Sequence, residues 1–415
     1  MKNLLISFIV LLISSTVLSA QLKISAEVRP RYENRHGYKS LVTKDTKAGS
    51  FISQRTRLNV NYAMDKIRFG LSLQNIRVWG DASTLTPVDK YNAFHQAWAE
   101  VSLMDHLSLK MGRQEIIYDD HRIFGNVGWA QQARSHDAAI FKYSMDNNRV
   151  DIGFAFNSDG QVNTQTPYSG IAGYKNFQYL WYHGKFAGLG LSILALNTGN
   201  EYTKDGDLKV DYMQTVGPRI TYKMGALKAN AAAYFQTGKK TDQDVKALYY
   251  SVNAAYKLMG TFSIGAGMEY LSGKASNDTE AGFKSFAPLF GTNHKFNGWM
   301  DYFYVGNHFN NVGLLDINFP IIYSKNKLSV KAIPHLFSAA ADVYNQGTQL
   351  NKKLGTEIDF NLGYKLAKGV SLNAGYSVML ATETMEYLKG GSKDANNTWA
   401  WVMFTIKPSL FNGMK

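Results

Sequence analysis

The stretch LKISAEVRPRYENR, residues 22–35, decides the fold. Ile24, Ala26, Val28, Pro30 and Tyr32 alternate one for one with Lys23, Ser25, Glu27, Arg29, Arg31, Glu33 and Arg35. Side chains that change face at every residue belong to a β-strand, here with one apolar face and one densely charged face. Strands of soluble sheets are typically about 5–6 residues long, and this one is more than twice that. The charged face needs water and the apolar face needs a greasy neighbour, over a length that suits a bilayer.

Outward from this segment the same alternation recurs. Ile52, Leu58, Val60 and Tyr62 oppose Ser53, Arg55, Arg57, Asn59 and Asn61. Late in the chain Ile358, Phe360, Leu362 and Tyr364 oppose Asp359, Asn361, Gly363 and Lys365, and Val370, Leu372, Ala374 and Tyr376 oppose Ser371, Asn373, Gly375 and Ser377. Tight connections fall near Met64-Asp65-Lys66, Met104-Asp105-His106, Asp146-Asn147-Asn148, Phe186-Ala187-Gly188, Lys223-Met224-Gly225, Leu258-Met259-Gly260, Ser324-Lys325-Asn326 and Ala367-Lys368-Gly369. These make eight hairpins, and the first segment plus the last, residues 398–406, bring the expected count to about 18 strands. An even count puts both termini on one side, as bacterial barrels require. A 13-residue strand tilted by about 40° spans roughly 33 Å, enough for a ~25 Å apolar band.

The sequence therefore predicts an all-β fold: a transmembrane antiparallel β-barrel with short periplasmic turns and nine longer extracellular loops. The longest loop runs over residues 274–308. Within it, Phe296 to Val305 is aromatic enough to be a nineteenth strand. Oddness argues against that, and the segment is expected to fold inward or cap the mouth. The 25 Tyr, 23 Phe and 7 Trp read as interface girdles, with many near strand ends, as at Tyr62, Trp79, Tyr143, Tyr222, Tyr256, Tyr270, Tyr323 and Tyr364. A secreted sandwich or β-helix would also use aromatics, but it leaves the long strands and eight regular turns unexplained.

At the N-terminus, Lys2, the apolar run Leu4 to Leu12 and a small-residue stretch ending at Ala20 read as a secretory signal over residues 1–20, although Leu18 stands where a small residue is usual. The apolar run is shorter than the ~20 residues of a spanning helix. Residues 21–415 form one barrel domain, since no Pro-rich or Ser-rich linker divides them, and the expected location is the outer membrane after cleavage. Cysteine is absent, which excludes disulfides, thiolate metal sites and a lipid-modified N-terminal cysteine. The net charge of +13 favours anionic partners. For an exported chain these are lipopolysaccharide and the surrounding lipid, acidic polysaccharide or small anions, not nucleic acid.

A pore selects by the charges and width of its narrowest part. The inward faces carry Arg29, Arg31, Arg35, Arg55 and Arg57, with Arg68, Lys110, Arg134, Lys142 and Arg219 as further inward basic positions. Glu27, Glu33, Glu100, Asp211 and Asp359 intersperse acid among them, so each base has a second reading as a lumen ion pair that only stiffens the wall. A guanidinium 4 Å from a carboxylate gains about 1 kcal/mol in water and about 4 at an effective dielectric of 20. Single contacts hold an anion weakly, and a ladder of them conducts.

The densest polar cluster is Gly112-Arg113-Gln114, then Tyr118-Asp119-Asp120-His121-Arg122, Gly125, Trp129, Gln132, Arg134 and Asp137. Here the chain resembles the alginate export family of outer-membrane barrels, in which a Gly-Arg-Gln strand end precedes an acidic pair, an Arg, a Trp and an Arg/Asp pair. Gly291-Thr292-Asn293-His294-Lys295-Phe296-Asn297-Gly298 is similar to Bacteroidetes-type members. The resemblance implies an eighteen-stranded barrel with an electropositive, partly plugged lumen that passes a uronate polymer outward by passive diffusion. The pore-lining, anion-binding candidates are Arg29, Arg31, Arg55, Arg57, Arg113, Asp119, Arg122, Arg134 and Arg219. A general anion-preferring porin is the alternative, and an outer-membrane hydrolase or adhesin a more remote one. Asp119-Asp120-His121, and His294 with Asp301 and His308, have loose acid/base or metal spacing but read as polar loop residues. No catalytic, metal or cofactor site is expected. A TonB-dependent transporter would need an N-terminal plug domain and about 22 strands.

Overall fold

The computed structural model describes residues 20–85, 91–304 and 312–413. The signal segment 1–19, Val305 and His308 lie outside the described residues. Eighteen strands form the barrel wall: β1 (Gln21–His36), β2 (Gly49–Met64), β3 (Ile67–Val78), β4 (Asn92–Met104), β5 (Leu107–Gln114), β6 (His136–Met145), β7 (Asn148–Phe156), β8 (Asn176–Phe186) and β9 (Leu189–Lys204). They continue as β10 (Asp207–Met224), β11 (Leu227–Lys240), β12 (Ala247–Leu258), β13 (Phe262–Leu271), β14 (Leu314–Asn318 with Ile321–Lys325), β15 (Leu328–Ser338), β16 (Lys353–Ala367), β17 (Val370–Ala381) and β18 (Asn397–Ile406 with Ser409–Asn412). The interruptions in β14 and β18 fall at Pro320 and Pro408, which have no N–H to give the ladder.

Each strand pairs antiparallel with the next, and β1 pairs with both β2 and β18, as at Ala26↔Leu58 and Tyr32↔Val402. The sheet thus closes on itself. An unpaired backbone group in lipid costs several kcal/mol, so closure is what makes a membrane-crossing sheet affordable.

The period of two works as the sequence predicts. Glu27, Arg29, Arg31, Glu33 and Arg55 are buried, whereas Tyr32, Leu58, Phe69, Ile152, Ile193, Phe360 and Val402 are exposed on the outer surface. An apolar exterior over a charged interior inverts the soluble pattern and is the signature of a barrel in lipid. All eight predicted tight turns occur, with left-handed backbone at Asp65 (φ 49°), Asp146 (φ 51°) and Asn326 (φ 52°). Short polar side chains tolerate that conformation. Eight of the nine expected longer loops are present. The ninth is itself a two-residue turn, Asp205-Gly206, because β9 and β10 run 16 and 18 residues and stay paired from Lys204↔Asp207 to Leu189↔Tyr222. Where both faces are wet, alternation of polarity fades although the ladder continues.

The barrel is not empty. The loop between β5 and β6, residues 115–135, and the described part of the loop between β13 and β14, residues 272–304, fold into it. Met300 and Tyr302 are fully buried, so residues 296–304 lie inside the cylinder rather than in its wall. The two loops meet at a bridge between Phe124 and Phe290, and Gly125 N–H donates to the Phe290 carbonyl (2.9 Å). Around that bridge Tyr118, Tyr174, Phe177 and Tyr179 pack as an aromatic core within the lumen. A short helix, α1 (Glu383–Lys389), sits in the last loop, capped by the Thr382 hydroxyl, which accepts from Met385 N–H.

Candidate functional site

The interior is built from the arginines of β1 and β2 upward. Two residues apart on one strand face, Arg29 and Arg31 aim at the inward loop. Arg29 Nη1 donates to the Gly128 carbonyl (2.8 Å), and its Nε and Nη2 donate to Gln131 Oε1 (3.1 and 2.8 Å). Arg31 Nη1 donates to the Trp129 carbonyl (2.7 Å), and its guanidinium lies 3.9 Å from the Trp129 ring centre. Arg55 forms an ion pair with Glu27 (2.5 Å) and reaches the Gln131 carbonyl (3.4 Å). Hydrogen bonds to charged donors are worth about 1.5–3 kcal/mol each, so this triad holds the first inward loop firmly.

The second inward loop is tied to the first and to an acidic stretch of wall. Arg134 Nη1 donates to the Gly291 carbonyl (3.0 Å), Val127 N–H to Thr292 Oγ1 (3.0 Å), and the Trp129 ring stacks on His294 at 4.7 Å. Arg122, 2% exposed, is clasped by Glu269 (3.1 Å) and Asn297 Oδ1 (3.0 Å). Trp299 N–H donates to Asp359 Oδ2 (3.1 Å) and Met300 N–H to Glu357 Oε1 (2.8 Å). Asp119 accepts from Trp181 Nε1 (3.0 Å) and Ser192 Oγ (2.5 Å), and Arg219 pairs with Asp120 (3.1 Å). Higher up, Arg113 and Asp137 form a half-exposed ion pair at 2.8 Å. His294 bonds Asp301 (2.8 Å), and no group of three metal-ligating side chains occurs among the described residues.

What remains open is a set of polar cavities above and below this packing. Toward the loops lie one of about 800 Å³ containing Arg113 and Arg134, and one of about 630 Å³ containing Arg31, Arg35 and Tyr38. Toward the turns lie one of about 370 Å³ containing Lys23, Arg55 and Arg57, and one of about 340 Å³ containing Arg219 and Lys295. Ala133 borders both the 800 Å³ and the 370 Å³ cavities. Between them stands a thin polar layer: Arg57 Nε donates to Gln74 Oε1 (2.9 Å), Gln74 Nε2 to the Gln132 carbonyl (3.1 Å), and Glu115 holds His95 (2.7 Å) and Asn126 (2.9 Å). Glu115 sits 3.9 Å from Arg57, whose Nη2 is buried with no hydrogen-bond partner among the described residues.

Of the nine candidates from the sequence, Arg31, Arg55, Arg57, Arg113, Arg134 and Arg219 border these cavities, while Arg29 is buried on β1 against the first inward loop, Arg122 is buried within that loop and Asp119 is an exposed residue of it. The partners went unnoticed in the sequence. Glu269, Asp316 and Glu357 carry the inward loop, and His95 and Glu115 form the polar layer. Glu357 and Asp359 share one strand face, a signal that was legible, but their backbone partners lie some sixty residues away.

A closed barrel with a charged interior and loops folded into it belongs to the class of outer-membrane porins. The family described as Alginate export matches residues 20–400, and the chain belongs to that family. Similar solved structures include Pseudomonas aeruginosa OccK3 (OpdO), with 14% identity over 94% of this chain and 96% of that one, at a TM-score of 0.61. OccK9 (OpdG) from the same organism has 12% identity over 94% and 98%, at 0.62. OccK2 (OpdF), solved in complex with glucuronate, has 12% identity over 94% and 98%, at 0.59. At such identities these likenesses speak to the fold. Among curated protein sequences none is significantly similar to this chain.

Proposed function

We propose that the protein is a passive outer-membrane channel for anionic solutes, and that an acidic saccharide chain is the preferred one. The observation that carries this reading is the thin layer between the upper and lower cavities, where the buried Arg57 Nη2 has no partner among the described residues. A guanidinium bordering a water-filled cavity offers a fork of N–H donors, and a carboxylate is the best acceptor for that geometry. Membership of the Alginate export family and the glucuronate complex of the structurally similar OccK2 support a uronate. The arginines divide the work: Arg29 and Arg122 hold the loops, and Arg57, Arg113, Arg134 and Arg219 face the passage. No chemistry on the solute is part of this reading.

Planar-bilayer recordings test it. The channel should prefer chloride over potassium, and added polyuronate should block it while neutral dextran of equal size does not. Anion preference without polyuronate block would favour a general porin, and no conductance at all would end both readings.

A further inference from the structure

The two ends of the barrel handle their lysines differently. At the loop end several are matched by acids: Lys284 with Asp278 and Glu280 (2.7 Å each), Lys352 with Asp342 (2.9 Å) and Lys239 with Asp242 (3.8 Å), while Lys44 and Lys47 have no ion pair among the described residues. At the turn end, which is periplasmic in such barrels, the balance is lost. A cavity of about 270 Å³ there is lined by Lys66, Arg68, Lys142 and Arg149 with Glu100 as the one carboxylate in its lining. Glu100 is taken by Lys142 (2.9 Å) and Arg149 by Asp151 (2.6 Å), while the side chains of Lys66 and Arg68 have no ion pair among the described residues. Farther round the rim, Lys223 and Lys228 stand directly opposite one another on β10 and β11, both exposed. Like charges in register oppose pairing. Of the three turn acids, Asp65 and Asp146 adopt left-handed backbone, which accounts for their presence without reference to the rim, and Asp105 is the remaining one.

We propose that this uncompensated cationic collar is a capture site for a polyanionic saccharide arriving from the periplasmic side. The inference rests on the channel reading above and adds the end at which the chain is first held. The collar's charges are mobile, hydrated and spread around the opening, so they draw in a long anion without locking it. Electrostatic focusing at a charged mouth raises on-rates by about 10-fold or more.

The test uses single channels of known orientation. Gly160→Cys, at an exposed loop position with open space around it, takes a biotin tag in a chain that otherwise has no cysteine, and streptavidin added to one chamber then reports which side is which. Oligogalacturonate should block with an on-rate about tenfold higher from the turn side than from the loop side. Lys66→Gln, and separately Lys223→Gln with Lys228→Gln, should lower the turn-side on-rate and leave the loop-side rate and the unitary conductance in place. Equal on-rates from both sides, or variants that slow both sides alike, would overturn the collar while leaving an anion channel intact. Loss of chloride preference in the wild type would instead overturn the channel reading itself.

Discussion

Arg57 and Gly298 show how single side chains set what the interior can do. Arg57 borders the lower cavity within the polar layer, so Arg57→Gln should lower the chloride-to-potassium permeability ratio with little loss of stability, measured as a shift in reversal potential across a salt gradient. Gly298 works by absence: its φ is +81°, and a Cβ there would come within 2.6 Å of the Glu357 carboxylate. Gly298→Ala should cost about 1–3 kcal/mol locally and loosen the second inward loop. The expected readout is larger and noisier conductance, and unchanged traces would mean the loop does not limit flow. Arg29 and Arg31 could be placed on the inward face from a dyad pattern alone. That they grip Gly128, Trp129 and Gln131 could not, because the partner is about a hundred residues away and is chosen by tertiary packing.

Among the elements, strands were the legible part. Their period is local, and lipid outside with water inside enforces it at every residue. Loops that fold inward carry no such period. The segment 115–135 has the polarity of any surface loop, and its aromatic anchors, Tyr118, Phe124 and Trp129, are what hint at burial. The β9–β10 turn escaped notice for the opposite reason, since strands that rise beyond the membrane have two wet faces and look like loops. The helix α1 offers a test at this scale. Lys389 donates to the Tyr302 carbonyl (2.8 Å), and burial pushes its ammonium down to about 8. When the helix is undocked the lysine returns to about 10.4, so the undocked state binds more protons between those values and docking should tighten as pH rises through that window. Hydrogen exchange of the helix amides, corrected for intrinsic rates, should show protection rising from pH 7 to 10 in the wild type and flat behaviour in Lys389→Met.

For the molecule as a whole, charge acts through water-filled space and is therefore open to screening. The Debye length falls from about 10 Å at 0.1 M salt to about 3 Å at 1 M, so anion preference should weaken steeply over that range if spread-out lysines and arginines produce it. A preference that survives 1 M salt would point to tight contact with a few residues in its place. The closing pairs of β1 with β18 carry a further consequence. Until the last strand arrives, the first has no neighbour on one side, and the unfinished ribbon has two bare margins that can zip onto any other strand. A chain stopped at Asn396 should therefore collect as aggregate in the periplasm instead of reaching the outer membrane, which cell fractionation would show. The strand that closes the ring thus decides whether the others become a vessel or a fibre seed.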